Sequence, residues 1–227
     1  MKLEERSYSG RVFRPRPEIH CEENGTLCVI ATPWGPRSTA RKVVQTIVDF
    51  FHSAHSDKEV TSPFQTMTCV SPMANNLRVS IMLANDLVHR EDNRSEYQVG
   101  VELFVAARSE SDCVWAQVGG PHVLLDRKGF DLSHIGAAAD LSLAHSNSEG
   151  VLAPLPGNFI GIASTTNFAV QSLHLGPGDR FVLVHRTIVP PKLLAMSPQE
   201  RDLQGLSNCL ARQSADLPFW LGLLSFG

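Results

Sequence analysis

The sequence predicts an α+β protein, because helix-like and strand-like segments are grouped along the chain and do not alternate. Two long amphipathic helices are predicted early, several short strands follow from Gly100 to His185, and one more helix is predicted near the end. Regular alternation would instead indicate a parallel sheet. At 227 residues with 43% hydrophobic residues, the chain can bury a large core, and we interpret residues 1–227 as a single domain.

The first strand and the first helix are separated by residues that favour a loop. Asn24-Gly25 gives a turn signal, and the apolar residues 27–31 that follow predict a buried strand. Residues 32–36 contain two prolines and a glycine and predict a loop. Upstream, Val12 and Phe13 lie among prolines and predict an edge strand, since proline is tolerated at sheet edges.

Two helices are predicted from apolar residues at helical spacing. Ser38 or Thr39 is expected to cap the first helix, which should end near His55. The second is predicted over residues 72–90, with Pro72 in its first turn.

From Gly100 onwards the apolar period changes to that of strands. Strand-like segments are predicted at residues 101–107, 113–118, 122–126, 159–163, 169–175 and 180–185. The first three are separated by short turns, which predicts an antiparallel meander. Residues 137–156 are small and polar and predict a long loop.

The end of the chain predicts one helix and one strand. Ser197 and Pro198 suit the N-cap and first position of a helix running to about Arg212. Residues 217–227 are apolar enough to suggest a membrane anchor, but they are far fewer than the ~20 residues of a span. A final core strand at residues 219–226 is therefore the favoured interpretation.

Composition argues against several classes of partner. The formal net charge is −3 with scattered basic residues, so nucleic acid is not an expected partner. The acidic start and the lack of a ~20-residue apolar run predict no membrane association and a cytoplasmic location. The five cysteines show no C-x-x-C spacing and resemble small hydrophobic residues, which favours free thiols in a reducing compartment.

Motifs for nucleophilic or cofactor chemistry are absent from the sequence. It has no G-x-S-x-G, no phosphate-binding C-x-x-x-x-x-R and no glycine-rich P-loop. Its nine histidines lack metal-ligand spacing with supporting acids. No cofactor is predicted.

Taken in order, the predicted elements resemble the metal-dependent protein phosphatases of the 2C type. Leu83-Ala84-Asn85 is similar to a signature of that family's second helix, and residues 114–124 resemble its strand-turn-strand segment. Residues 175–189 are similar to its g-D-x-l-l-L-x-S-D-G-l segment. The resemblance implies a four-layer α-β-β-α sandwich, in which two antiparallel sheets are flanked by helix pairs.

The resemblance also implies a metal site whose ligands this chain lacks. That family uses aspartates to hold two divalent cations, which activate a water for attack on a phosphate ester. Where it has A-D-G-x-G-G, this chain has Thr32 in place of the aspartate, Pro33 in place of a glycine, and Gly35.

A second ligand position carries the opposite charge. Where the family has S-D-G, this chain has His185, Arg186 and Thr187, so a guanidinium replaces a carboxylate. Only Asp216 matches a family ligand.

These differences lead to the hypothesis of a pseudophosphatase, which is not an enzyme. It would act as a regulatory or scaffolding module in signalling and bind a protein partner, with a kinase or a phosphoprotein as candidates. One alternative is a divergent metal-dependent serine/threonine phosphatase that uses Asp216 with acids such as Glu18, Glu22 or Glu23. Another is a small-ligand sensor that uses the vacated cleft.

Arg186 has two interpretations at this stage. It can lie at an exposed strand end and pair with an acid, or it can fill the former metal site and bind phosphate or carboxylate through its planar donors. In the second case Arg37 and Arg16 are candidates to complete an anion-binding site.

Overall fold

The computed structural model describes residues 1–56, 63–142, 153–213 and 216–227, which form two compact units. The first unit comprises Met1–Arg16, Gly119–Gly157 and Leu175–Gly227, and the second comprises Pro17–Val118 and Asn158–His174. Each contains a five-stranded antiparallel sheet and two α-helices. The α+β class with two antiparallel sheets is thereby confirmed, and the single domain stays a prediction.

The strands of the described residues are β1 (Lys2–Tyr8), β2 (Glu18–Cys21), β3 (Leu27–Trp34), β4 (Gly100–Ser109), β5 (Asp112–Val118), β6 (His122–Asp126), β7 (Ser133–Gly136), β8 (Val170–His174), β9 (Arg180–His185) and β10 (Phe219–Ser225). The α-helices are α1 (Arg37–Ser56), α2 (Pro72–Glu91), α3 (Pro191–Leu194) and α4 (Leu203–Gln213).

The second unit packs α1 and α2 on one sheet with the order β2-β3-β4-β5-β8. The first seven residues of β3 are buried, as expected of an apolar run inside a sheet. Ser71 caps α2 by accepting a hydrogen bond from the N–H of Ala74 at 3.2 Å, and Pro72 occupies its first turn. The predicted positions of both helices are confirmed, but the predicted cap of α1 is wrong, because α1 begins at Arg37 and so contains Ser38 and Thr39 in its first turn.

The first unit has the strand order β1-β10-β9-β6-β7, and α4 packs on this sheet. Arg201 is almost fully buried, and it donates to Asp126 at 2.9 Å and to the backbone carbonyl of Phe130 at 2.8 Å. Arg180 binds the other carboxylate oxygen of Asp126 at 3.1 Å. A buried carboxylate with two guanidinium partners therefore joins β6, β9 and the segment before α4.

The predicted edge strand at Val12 and Phe13 is wrong. The strands nearest to this segment are β1 before it and β2 after it, and each is an edge strand of its sheet. The residues between β1 and β2 join neither sheet, and they include Pro15 and Pro17, which cannot donate backbone hydrogen bonds.

The predicted three-stranded meander is also wrong, because only its first two strands pair with each other. β4 pairs with β5, whereas β6 belongs to the sheet of the first unit, between β9 and β7. Gly119 has φ of 73°, and this left-handed conformation ends β5 without steric cost. All five residues of β6 are buried, as suits a central strand.

Residues 159–163 do not form the predicted strand, and only Ile160 bridges to Val101. Gly161 has φ of 94°, and a Cβ atom there would lie 2.1 Å from Cγ1 of Val88. The chain therefore turns tightly against α2 at this glycine. The predicted strand at residues 180–185 is confirmed as β9, and the one at 169–175 as β8.

The predicted C-terminal helix is divided into two pieces. A short 3-10 helix spans Pro198–Glu200, and α4 starts separately, where Asp202 accepts a hydrogen bond from the N–H of Gly205 at 2.6 Å. The break at Arg201 turns its side chain towards Asp126. The final strand is confirmed as β10, whereas α3 and β7 were not predicted.

Two cysteines differ from the expectation of free thiols. Cys21 and Cys28 face each other in the register of β2 and β3 and form a disulfide. Burial raises the pKa of Cys113 to about 12, so this free cysteine is an inert core thiol.

No helix in the described part of the chain is both long and apolar enough to span a bilayer. The cytoplasmic location stays a prediction, and half of the predicted loop at 137–156, residues 143–152, lies outside the described residues.

Candidate functional site

The first predicted position of the degenerate metal site lies at the end of β3. Thr32 is 2% exposed and Pro33 is buried, and both belong to the strand, which continues to Trp34. The predicted loop therefore begins only at Gly35. Gly35 has φ of 136°, and a Cβ atom there would lie 2.9 Å from the carbonyl oxygen of Gln98, so only glycine fits.

Glu102 is a buried acid that our sequence analysis did not single out. It lies opposite Thr32 in the register of β3 and β4 and is 2% exposed. Its carboxylate accepts a hydrogen bond from the indole Nε1 of Trp34 at 2.6 Å. A single acid within the apolar run 101–107 was the available signal. Trp34 itself is half-buried.

The second predicted position lies at the end of β9 in the first unit. His185 is 1% exposed, Arg186 is 4% exposed, and Thr187 is half-buried. Nη1 of Arg186 donates to the backbone carbonyl of Leu210 at 2.8 Å, while its buried Nε has no partner among the described residues. Arg186 is thus a buried side chain, unlike the exposed, acid-paired arginine of the first interpretation.

Arg14 lies beside this position. Its Nη2 is 3.6 Å from Oδ2 of Asp140 and 3.5 Å from Oγ1 of Thr187, and the side chains of Arg14 and Asp140 are each 5% exposed. Burial lowers the pKa of Arg186 from its ordinary value, and the charge of Arg14 lowers it further. We call Arg14, Asp140, Arg186 and Thr187 the arginine cluster.

The carboxylate of Asp140 accepts hydrogen bonds from several donors. Its Oδ1 accepts hydrogen bonds from the N–H of Ser142 at 3.0 Å, from the Ser142 hydroxyl at 2.7 Å and from the N–H of Leu155 at 3.0 Å. Burial alone would raise the pKa of Asp140, but these hydrogen bonds, with one from Thr187, lower it below its ordinary value. Asp140 is therefore the charged partner of Arg14.

A histidine pair borders the arginine cluster, and one member of it, His122, adds no positive charge at neutral pH. Nδ1 of His122 lies 3.1 Å from Nε2 of His134 and accepts a hydrogen bond from the N–H of Ala138 at 3.2 Å. Burial, together with His134, lowers the pKa of His122 to about 4, although the backbone of Thr187 and Arg186 acts in the opposite direction. His122 is consequently neutral at pH 7.

The other predicted site residues are not part of the arginine cluster. Arg16 is exposed, and Arg37 forms an exposed ion pair with Glu18 at 2.9 Å. Asp216 pairs with Arg11 at 2.8 Å. The proposed anion site therefore gains Arg14, which the sequence analysis did not name, beside Arg186.

Two of the acids considered as replacement metal ligands also have partners. Glu18 binds Arg37 and also Arg41, at 3.3 Å. Glu22 accepts from the Thr26 hydroxyl and contacts His52. Their carboxylates are already engaged by neighbouring side chains.

The end of β3 and the end of β9, each taken by itself, do not fit a pair of divalent cations. They offer a hydroxyl, a proline and a guanidinium, whereas hard cations require several anionic oxygens. Among residues 1–56, 63–142, 153–213 and 216–227, no three His, Cys, Asp or Glu side chains are arranged to hold a metal ion.

The fold of the chain is that of the 2C-type (PPM) protein phosphatases. It is similar to the PPM Ser-Thr phosphatase MsPP from Mycobacterium smegmatis, with a TM-score of 0.65, 15% identity, and coverage of 100% of this chain and 99% of that one. PppA from Pseudomonas aeruginosa gives 0.64 with 16% identity, covering 99% and 97%. The Mycobacterium tuberculosis phosphatase PstP/Ppp gives 0.63 with 13% identity, covering 99% and 97%.

Sequence comparison adds nothing to this structural likeness. No protein-family model matches the chain, and no curated protein matches it. At 12–16% identity the solved structures establish the fold and leave the chemistry to be argued from the residues.

Proposed function

We propose that this protein is a non-catalytic 2C-type phosphatase-like module that binds a protein partner. The single observation that carries the proposal is the buried guanidinium of Arg186, at the strand end where the resemblance implies an aspartate ligand. Thr32 supports it, because a second ligand position offers a neutral hydroxyl in place of a carboxylate.

Electrostatics gives the size of the obstacle to metal binding. A guanidinium and a divalent cation about 4 Å apart repel by roughly 8 kcal/mol at an effective dielectric constant of about 20. An arginine cannot release its proton at any physiological pH, so the repulsion is permanent. Arg14 increases it, because its charge acts on the same position.

The proposed role is regulatory or scaffolding, in signalling, with a kinase or a phosphoprotein as the partner. The structural neighbours are serine/threonine phosphatases, and PppA is described as a key regulatory component. A module that keeps this fold without the metals keeps a surface shaped for phosphorylated proteins.

Calorimetric titration with manganese and with magnesium tests the absence of metal chemistry. We expect no saturable heat up to millimolar metal, and no metal-dependent hydrolysis of p-nitrophenyl phosphate or a phosphoserine peptide. Asp216→Asn serves as the matched variant, since Asp216 is the one acid that matches a family ligand. Manganese-dependent turnover that disappears in Asp216→Asn would contradict the proposal.

A divergent metal-dependent phosphatase is the second candidate, and Glu102 is the observation that favours it. This buried carboxylate lies directly opposite Thr32 and could supply an anionic oxygen that Thr32 does not. Turnover lost in Glu102→Gln, and kept in a variant of the exposed Glu110, would support this candidate over the first.

A further inference from the structure

Among the described residues, the arginine cluster contains more positive than negative charge, and it is buried. Two guanidiniums, from Arg14 and Arg186, lie near one carboxylate, from Asp140. Buried charges in proteins are normally paired, because removing an ion from water costs several kcal/mol. One positive charge in this cluster therefore has no counter-ion among the described residues.

Arg186 is the side chain that carries the uncompensated charge. Asp140 already pairs with Arg14 and accepts hydrogen bonds from Ser142 and Leu155. Arg186 has a single hydrogen bond, to the carbonyl of Leu210, and forms no ion pair with any carboxylate in the described part of the chain. Its Nε is buried and points to no acceptor.

We propose that the arginine cluster is an anion-binding site for a phosphate group, with Arg186 as the main ligand and Arg14 beside it. Guanidinium groups bind phosphate through short, charge-assisted hydrogen bonds, and two of them can take different oxygens of one tetrahedral anion. A carboxylate offers only two coplanar oxygens. This inference rests on the proposed function, since a site that holds no metal can accept an anion.

The binding test uses the full-length protein in buffer with EDTA and without phosphate. Calorimetry measures its affinity for inorganic phosphate, a phosphoserine peptide, the same peptide without phosphate, and acetate. We expect binding of the two phosphate compounds, weakened about 10- to 100-fold in Arg186→Gln. The exposed Arg41→Gln removes the same charge elsewhere and should bind like the wild type.

The two phosphate compounds distinguish the source of the anion. Tighter binding of the phosphopeptide than of inorganic phosphate assigns the site to phosphoproteins, and equal binding assigns it to free phosphate. Equal phosphate affinity in the wild type and in Arg186→Gln would overturn the proposal, as would the absence of binding.

A second measurement covers the case in which Arg186→Gln does not fold. Crystals of the wild-type protein soaked in phosphate should show a tetrahedral anion on the guanidinium of Arg186, and an empty map at that position would overturn the proposal. Because EDTA removes metals, failure here is distinct from failure of the proposed function, which is detected by manganese-dependent turnover.

Discussion

Replacing Arg186 with methionine should stabilise the protein in phosphate-free buffer. Methionine is unbranched like arginine, fills irregular space and needs no counter-ion. Burial of an ion costs several kcal/mol, and the hydrogen bond to the carbonyl of Leu210 recovers about 1.5–3 kcal/mol of that cost. The expected gain for Arg186→Met is therefore about 1–3 kcal/mol in the free energy of unfolding.

Arg201 provides the matched comparison, because it is equally buried but fully partnered. It is 2% exposed, against 4% for Arg186, and binds Asp126 at 2.9 Å. Removing one member of a buried ion pair costs about 3–5 kcal/mol, since the other charge stays behind. Arg201→Met should therefore destabilise the protein, so the same substitution has opposite signs at the two positions.

Urea denaturation followed by tryptophan fluorescence measures both variants, with thermal unfolding as a second readout. For a chain of this size, a change of 1 kcal/mol shifts the melting temperature by about 2–4 °C. Adding phosphate should stabilise the wild type and leave Arg186→Met unchanged. If Arg186→Met loses more than about 1 kcal/mol without phosphate, Arg186 has an internal partner and our reasoning about its charge is wrong.

Two further predictions concern backbone sterics and pH. Gly161→Ala should destabilise the protein by about 3 kcal/mol, because it adds a clash with Val88 to an unfavourable positive φ. Gly129→Ala, where φ is 85° and nothing lies within 4 Å of the added Cβ atom, should lose only about 1 kcal/mol. Equal losses of stability for the two variants in urea titrations would refute the clash. The pKa of His122 is about 4 in the fold against 6.5 unfolded, so the unfolded state binds more protons between these values, and stability should fall by about 3 kcal/mol as pH drops from 6.5 to 4. His122→Gln should remove most of this decline, and an unchanged pH profile would rule out His122 as its source.

Strand positions could be predicted from the sequence because buried strands are continuous runs of apolar residues. β3 and β9 are nearly continuous apolar runs next to turn residues, and both predicted segments match the structure closely. No comparable local pattern shows to which sheet a strand belongs. β6 follows β5 after a short turn, as in a hairpin, yet it pairs with β9, more than 50 residues away in sequence.

The residue types at the candidate site could be predicted from the sequence, but the contacts that surround them could not. The residues at positions 32 and 186 could be compared with a family pattern, which indicated a lost and a reversed charge. Arg186 binds the carbonyl of Leu210 and is affected by the charge of Arg14, and Glu102 binds Trp34, 68 positions earlier. Such long-range contacts have no period or spacing that a single sequence reveals.

In the proposed function the charge of the site changes sign while the fold persists, and two hydrophobic clusters of the described residues give the reason. Both clusters are built from apolar side chains of strands and helices, and neither contains Thr32 or Arg186. Burial of apolar area supplies most of the stability, so substitutions at the strand ends leave that term intact. A cluster of carboxylates needs cations to offset its repulsion, whereas the arginine cluster needs an anion. In the proposed function, this reversal changes the ligand that the site requires without removing the requirement for one.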